Sequence, residues 1–293
     1  MDKKPALRDQ KQGILYVVAT PIGNLEDITL RALRILKGVD LIVAENGTHT
    51  KRLCNHYDIK TKITTYNQHS RKSKTERLVG QLETGMEMAL VSDAGTPGIS
   101  DPGIMLITGA IEQGIQITPI PGPSAVVAGL SVCGFSTAGF CFLGFLSNRP
   151  GKRKRELETL ASETRTMVFY ESPHRIRATL SDMAQAFGSR QMVLLREMTK
   201  VFEEVRRGTA AQLLEILTPE KVRGEFTLVV SNEAAGKIPE GLSERTVREI
   251  EALLDEKAMS VKDIASFIAD QEDLAYRKVY KECLARKRLL KDS

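Results

Sequence analysis

A regular alternation of short apolar runs with amphipathic segments constrains this chain more than any other feature. Ile14-Leu15-Tyr16-Val17-Val18-Ala19 is nearly continuous in apolar residues, as in a central parallel strand covered on both faces. Further strand-like runs occur at 41–44, 63–66, 88–91 and 116–120. Helical segments are predicted at 29–37, closed by Gly38, and at 104–112. Another opens with the capping-box pattern Ser73-Lys74-Thr75-Glu76 and stops at Gly85. Strands and helices in this order predict a parallel α/β domain over residues 13–121, after a polar N-terminal stretch, 1–12, expected to be disordered.

One join in this alternation is unusually long. The fourth strand runs into Ser92-Asp93-Ala94-Gly95-Thr96-Pro97-Gly98-Ile99-Ser100-Asp101-Pro102-Gly103 before the next helix begins. Compact α/β units commonly spend about 2–6 residues here, and longer joins often bind ligands. The alternative is a rigid turn in which Asp93 and Asp101 form turns or cap the helix. Two other strands end in distinctive loops, Thr20-Pro21-Ile22-Gly23-Asn24 and Pro121-Gly122-Pro123-Ser124-Ala125. Ligands of open parallel sheets bind beyond the carboxyl ends of the strands, so the three loops are expected to share one cleft.

The second half changes texture. Strands are predicted at 140–143, 166–170, 192–195, 201–205 and 226–230, with helices starting near Lys152, His174 and Thr209. Thr209-Ala210-Ala211-Gln212 reads as a second capping box. No helical crossover fits between 196 and 206, which implies an antiparallel pair and hence a mixed sheet in a second α/β domain, 122–236. Three short helices, predicted at 243–257, 260–269 and 273–291, follow in a helical module, 237–293.

Net charge is only +5, but its placement is uneven. Seven Lys or Arg lie between Leu274 and Ser293, and five lie in the seven residues from Arg149 to Arg155. Such clusters are solvated faces or contacts to a nucleic-acid backbone. Cys54, Cys133, Cys141 and Cys283 lack metal-ligand spacing, as do the four histidines, so no structural metal or disulfide framework is predicted. No apolar run reaches the roughly 18 residues of a membrane span, and no signal-peptide core follows Met1. A cytoplasmic location is the expectation.

Four stretches carry a resemblance: residues 15–25, 92–103 and 121–125, and Phe169-Tyr170-Glu171-Ser172-Pro173-His174-Arg175. Together they resemble the RsmI-type methyltransferases of the tetrapyrrole methylase fold, which modify the ribose 2′-O of a decoding-centre cytidine in 16S rRNA. The resemblance covers almost the whole chain. It implies two α/β domains with S-adenosylmethionine in the cleft between them, a C-terminal helical module and a homodimer acting on the small ribosomal subunit.

By that resemblance Pro21, Asp93, Thr96, Ser124 and Ala125 line the cofactor site from the first domain, with Tyr170, Met198 and Phe226 from the second. Asp93 can accept hydrogen bonds from a ribose or ammonium group, and Ser124, near a helix start, can present donors. Candidate bases are Glu45, His49, His69, Glu171 and Glu197. Glu171 and His174 could equally cap and pair at the helix that follows them. Candidate RNA contacts are Arg149, Lys152, Arg153, Arg155, His174, Arg175, Arg277, Lys278 and Lys281, with Arg175 alternatively a surface ion-pair partner.

Two departures stand out. Where the family commonly shows Glu-Asp-Thr-Arg, this chain has Glu45-Asn46-Gly47-Thr48, and a His-Asn-Glu pattern becomes His69-Ser70-Arg71. The expected function is 2′-O-methylation of rRNA. A tetrapyrrole C-methyltransferase and a noncatalytic ribosome-binding protein that retains the fold are the alternatives.

Overall fold

The computed structural model describes residues 12–66, 71–218, 222–232, 244–255, 259–272 and 276–289. The chain divides into two compact units, residues 1–235 and 236–293.

The first unit contains two five-stranded sheets. Strands β1 (Ile14–Val18), β2 (Leu41–Ala44), β3 (Lys62–Thr65), β4 (Met88–Val91) and β5 (Gln116–Ile120) build the first. Their order is β3-β2-β4-β1-β5, and every pair is parallel. Helices α1 (Leu30–Gly38), α2 (Gly47–His56), α3 (Arg71–Glu83) and α4 (Ile104–Glu112) connect them. Apolar clusters occupy both faces: Val18, Leu36 and Ile42 belong to one, and Leu15, Leu78, Leu90 and Leu106 to the other. Because β1 lies between β4 and β5, the order in which the chain adds strands reverses at β1, and the loops after these three strands meet at the crevice such a reversal creates.

The second sheet follows α5 (Ala125–Cys133). It comprises β6 (Phe140–Phe145), β7 (Thr166–Glu171), β8 (Gln191–Arg196), β9 (Glu204–Thr209) and β10 (Phe226–Val230), with α6 (Pro150–Leu160), α7 (Ile176–Phe187) and α8 (Ala210–Ile216) between them. Its order is β6-β7-β10-β8-β9; β6 and β7 run parallel and the remaining pairs antiparallel. The central strand β10 is buried along its whole length, as its nearly continuous apolar sequence, broken only by Thr227, leads one to expect. Helix α5 packs on this sheet at Gly129, where an added methyl would sit 3.5 Å from Leu195, Thr227 and Val229. The second unit holds α9 (Glu244–Asp255), α10 (Val261–Gln271) and α11 (Tyr276–Leu289) around Ile250, Ile264, Ile268 and Val279. Ser260 and Asp263 cap α10 reciprocally, as Thr209 and Gln212 cap α8.

Three local expectations are corrected. Ser73 is inside α3 and does not cap it. Helix α2 occupies a stretch the polar sequence Gly47-Thr48-His49-Thr50-Lys51-Arg52 left unassigned; it is held by the buried stripe Thr50, Leu53 and Cys54. The strand expected at 201–205 begins instead at Glu204, because pairing of Leu194 with Arg206 and Leu195 with Val205 sets the register of this edge strand. Val201 and Phe202, though apolar, are exposed.

Candidate functional site

The three loops meet as their strand order demands. Thr20 and Gly95 exchange backbone hydrogen bonds of 2.9 and 3.0 Å, joining the β1 and β4 loops. The Thr20 hydroxyl donates to the Ser92 carbonyl at 3.2 Å, and the Thr96 hydroxyl lies 3.5 Å from the Pro123 carbonyl. Gly95 adopts φ 74° and Gly103 φ 141°, with Leu90 packed against Gly103 so closely that an added methyl would lie 2.9 Å from it. Glycine is required there on both conformational and steric grounds.

A cavity of about 270 Å³ opens where these loops face the second sheet. Thr96, Ser124, Ala125, Tyr170 and Phe226 line it, five of the eight expected cofactor residues. Edge-to-face contacts from Phe142 and Phe145 fix the Tyr170 ring, and burial, with Asp101 adding to it, pushes its hydroxyl up to about 12. Pro21 and Asp93 line an adjoining pocket of about 490 Å³, together with His49, Arg52 and Lys200. Ile22, Ala94 and Glu225 wall both spaces. Met198 departs from expectation: its side chain packs against the core cluster around Val126 and Leu195, outside the cavity lining.

Asp93 Oδ1 is buried and has no hydrogen-bond partner among the described residues. A buried carboxylate oxygen without a donor is costly, and a ligand hydroxyl or ammonium group would supply one. The cavity thus combines an apolar wall, hydroxyls at Thr96 and Ser124, and an unsatisfied acceptor nearby, a donor and acceptor set that fits an adenosyl amino acid.

The loop after β8 closes the pocket from the second sheet. The Asn24 amide donates to the Thr199 hydroxyl at 3.0 Å, and Lys200 bonds Glu197 at 2.8 Å and Glu225 at 3.1 Å. Gly23 lies beneath this segment, where an added methyl would sit 2.5 Å from the Lys200 side chain and 2.8 Å from the Met198 carbonyl oxygen. Glu197 and Thr199 have φ 52° and 66°, a strained conformation for non-glycine residues that these contacts hold in place. Glu197 is therefore occupied in loop structure rather than presented as a base.

The other candidate bases divide. Glu45 lines a third, open pocket with Asn46, Lys51 and Asp93, and His49 lines the Asp93 pocket. Glu171, although on the cavity wall, is 2% exposed. It accepts from the Ser172 amide at 2.8 Å, the Thr179 hydroxyl at 2.6 Å and Arg175 at 3.1 Å. Those donors hold Glu171 as a structural carboxylate. Asn46 caps α2 by accepting from the Thr48 and His49 amides, so the Asp-to-Asn departure preserves the cap while removing a charge. His69 and Ser70 lie outside the described residues.

The predicted RNA-facing cations also divide. Arg149, Lys152 and Arg155 are exposed on or beside α6, and His174 is exposed before α7. Arg153 is 4% exposed and bound to Asp182 through Nε and Nη2, each at 2.8 Å, which removes it from any surface contact. Arg175 is half-buried and donates to the Leu146 carbonyl as well as to Glu171. Lys281 is exposed on α11, whereas the side chains of Arg277 and Lys278 lie outside the described residues. No described helix is long and apolar enough to cross a membrane. Among the described residues no cluster of three or more His, Cys, Asp or Glu could hold a metal ion.

Asp101 is the acid of the long loop that sequence reading did not name among the site residues. It lines the cavity beside Tyr170, and burial, then Glu45 and more weakly Asp93, pushes its carboxyl up to about 6. Its position in the long loop was the available signal, but only the fold places Glu45 beside it.

A parallel sheet whose strand order reverses at β1, a loop crevice and a second, mixed sheet closing over it define a class of fold, and comparison agrees. The model of the family described as Tetrapyrrole (Corrin/Porphyrin) Methylases matches residues 14–214, and the chain belongs to that family. Among its relatives are proteins named Ribosomal RNA small subunit methyltransferase I. That of Halalkalibacterium halodurans is 46% identical over 233 residues, covering 80% of each chain. That of Synechocystis sp. is 42% identical over 272 residues, 92% of this chain and 96% of the relative. The fold is also that of the uroporphyrin-III C-methyl transferase from Thermus thermophilus, whose structure is described as complexed with S-adenyl homocysteine. That pair has a TM-score of 0.54 and 16% identity, over 75% of this chain and 97% of the other.

Proposed function

We propose that the protein transfers a methyl group from S-adenosylmethionine to the ribose 2′-hydroxyl of a cytidine in 16S rRNA of the small ribosomal subunit. The observation that carries this reading is the pairing of an apolar cavity, close to the unsatisfied Asp93 oxygen, with an adjoining polar pocket containing Arg52 and His49. The names of the close relatives support the substrate class.

In this reading Thr96, Ser124, Ala125, Tyr170 and Phe226 hold the cofactor, and Asp93 accepts from one of its polar groups. S-adenosylmethionine supplies an activated methyl on a sulfonium, so the protein's task is to position the ribose oxygen and remove its proton. Glu45, His49 and Arg52 border the acceptor side. The exposed cations at Arg149, Lys152, Arg155 and Lys281 are proposed phosphate contacts, and the 2′-hydroxyl distinguishes RNA from DNA. We assign the cofactor cleft to domains 13–121 and 122–236 and RNA binding to module 237–293, in a cytoplasmic homodimer.

The test is transfer of labelled methyl to small subunits isolated from a strain lacking this protein, followed by nucleoside mass analysis. A 2′-O-methylated cytidine is expected. No incorporation, with cofactor binding demonstrated and a control methyltransferase active on the same subunits, overturns the reading.

A further inference from the structure

Asp101 is a half-buried acid that does not cap the helix it precedes. Gly103, not Asp101, occupies the cap position of α4, and no side chain caps that helix. Among the described residues, the charged groups that act on Asp101 are the carboxylates of Glu45, from the end of β2, and Asp93, from its own loop. The Ser92 hydroxyl is its favourable neighbour, and the Tyr170 hydroxyl faces it from β7.

Its placement is tightly set. Ser100 before it has φ 66°, beneath the β6 bulge at Gly144, where an added methyl would be 3.1 Å from the Ser100 hydroxyl. Gly103 after it is pinned against Leu90. Asp101 lines the apolar cavity, whereas Glu45 and Asp93 line the polar pockets beside it. The carboxyl thus lies in the space suited to the cofactor, within electrostatic reach of two acids that line the adjoining pockets suited to its acceptor.

We propose that Asp101 is the proton acceptor for the reacting hydroxyl. The proposal rests on the methyl-transfer reading above. The Asp101 carboxylate takes the 2′-hydroxyl proton as that oxygen bonds to the methyl carbon. The carbon–sulfur bond breaks, its electron pair stays on the sulfur, and the carboxyl later releases the proton to solvent. A carboxyl raised by burial and like charge is ionised at neutral pH yet more basic than an exposed one, as general-base catalysis favours.

A sulfonium beside Asp101 would favour its ionised form, whereas the neutral thioether product would not. Calorimetry near pH 6, in buffers of different ionisation enthalpy, should therefore find more proton release on binding S-adenosylmethionine than S-adenosylhomocysteine. In Asp101→Asn that difference should vanish. Methyl transfer to small subunits should lose about 100-fold or more in kcat, with KM for the subunit changed less than about 3-fold, S-adenosylmethionine weakened relative to S-adenosylhomocysteine, and the acidic limb gone. Equal proton release by the two compounds in the wild-type protein overturns the proposal without reference to any variant. So does retention of kcat within about 3-fold in Asp101→Asn. A wild-type protein that shows the proton difference but methylates no cytidine would sink the substrate reading and leave the placement of Asp101 intact.

Discussion

The acids behind the second sheet and those at the mouth of the first sheet are buried by the same fold and treated in opposite ways. Asp182 and Glu171 meet donors: Arg153 and Lys154 for one, an amide, a hydroxyl and Arg175 for the other. Asp101 meets Glu45 and Asp93, and Asp93 retains an oxygen with no partner among the described residues. A carboxylate surrounded by donors is part of the scaffold. One held among other carboxylates costs stability, the arrangement found where a group serves a ligand rather than the scaffold.

Arg153→Ala should have the largest effect. It strands Asp182 in the interior with only Lys154, 3.7 Å away, and should cost about 3–5 kcal/mol in denaturant unfolding. A cost below 1 kcal/mol would mean that this pair is not part of the scaffold. Glu171→Gln should follow at about 1–3 kcal/mol, because the new amide turns a donor toward Thr179 or Ser172. Its pH–rate profile should match wild type; a lost acidic limb would return Glu171 to the candidate bases.

Asp101→Asn reverses the sign. The folded carboxyl keeps its proton up to about 6, whereas the ordinary value is 3.8. The native state therefore binds the proton more tightly. The stability associated with that proton is complete below 3.8 and is lost as pH rises through about 6. The Asn variant should be more stable than wild type at pH 8, by ~1 kcal/mol after allowance for solvent screening, and the gain should shrink toward pH 4. Thermal unfolding at the two pH values checks this, and a pH-independent difference would contradict it. Lys152→Gln should change stability least, within about 0.5 kcal/mol, its Glu156 partner being 3.8 Å away at the surface. If Lys152 meets a phosphate, the salt dependence of subunit binding should flatten by about one unit of slope; an unchanged slope removes it from the interface.

Much of the scaffold was legible before any coordinates. The strands at 88–91, 116–120 and 226–230 and the helix at 104–112 fall where hydrophobic runs and punctuating glycines put them. Helix α2 was missed because its buried stripe of Thr50, Leu53 and Cys54 is narrow and partly polar, although Asn46 offered a cap. The edge strand β9 was misplaced because Val201 and Phe202 look like strand residues, while the observed segment is chosen by pairing with β8. Of the site, the loops that line the cavity could be found from length and composition. The roles of individual charged residues could not: Arg153 and Arg155 are two positions apart in one basic run, and only the first turns inward.

The sequence by itself determined the alternation of elements, the two-sheet scaffold and the loops that converge on the cavity, because periodicity, capping and turn chemistry act over a few residues. Tertiary structure decided which acid would face which charge. Glu45 and Asp101 lie 56 positions apart, and nothing local to either sets their electrostatics. Their coupling arises only when β2 and β4 lie side by side and the loops that follow them partly bury Asp101, since interactions between charges depend on distance and burial rather than on order along the chain.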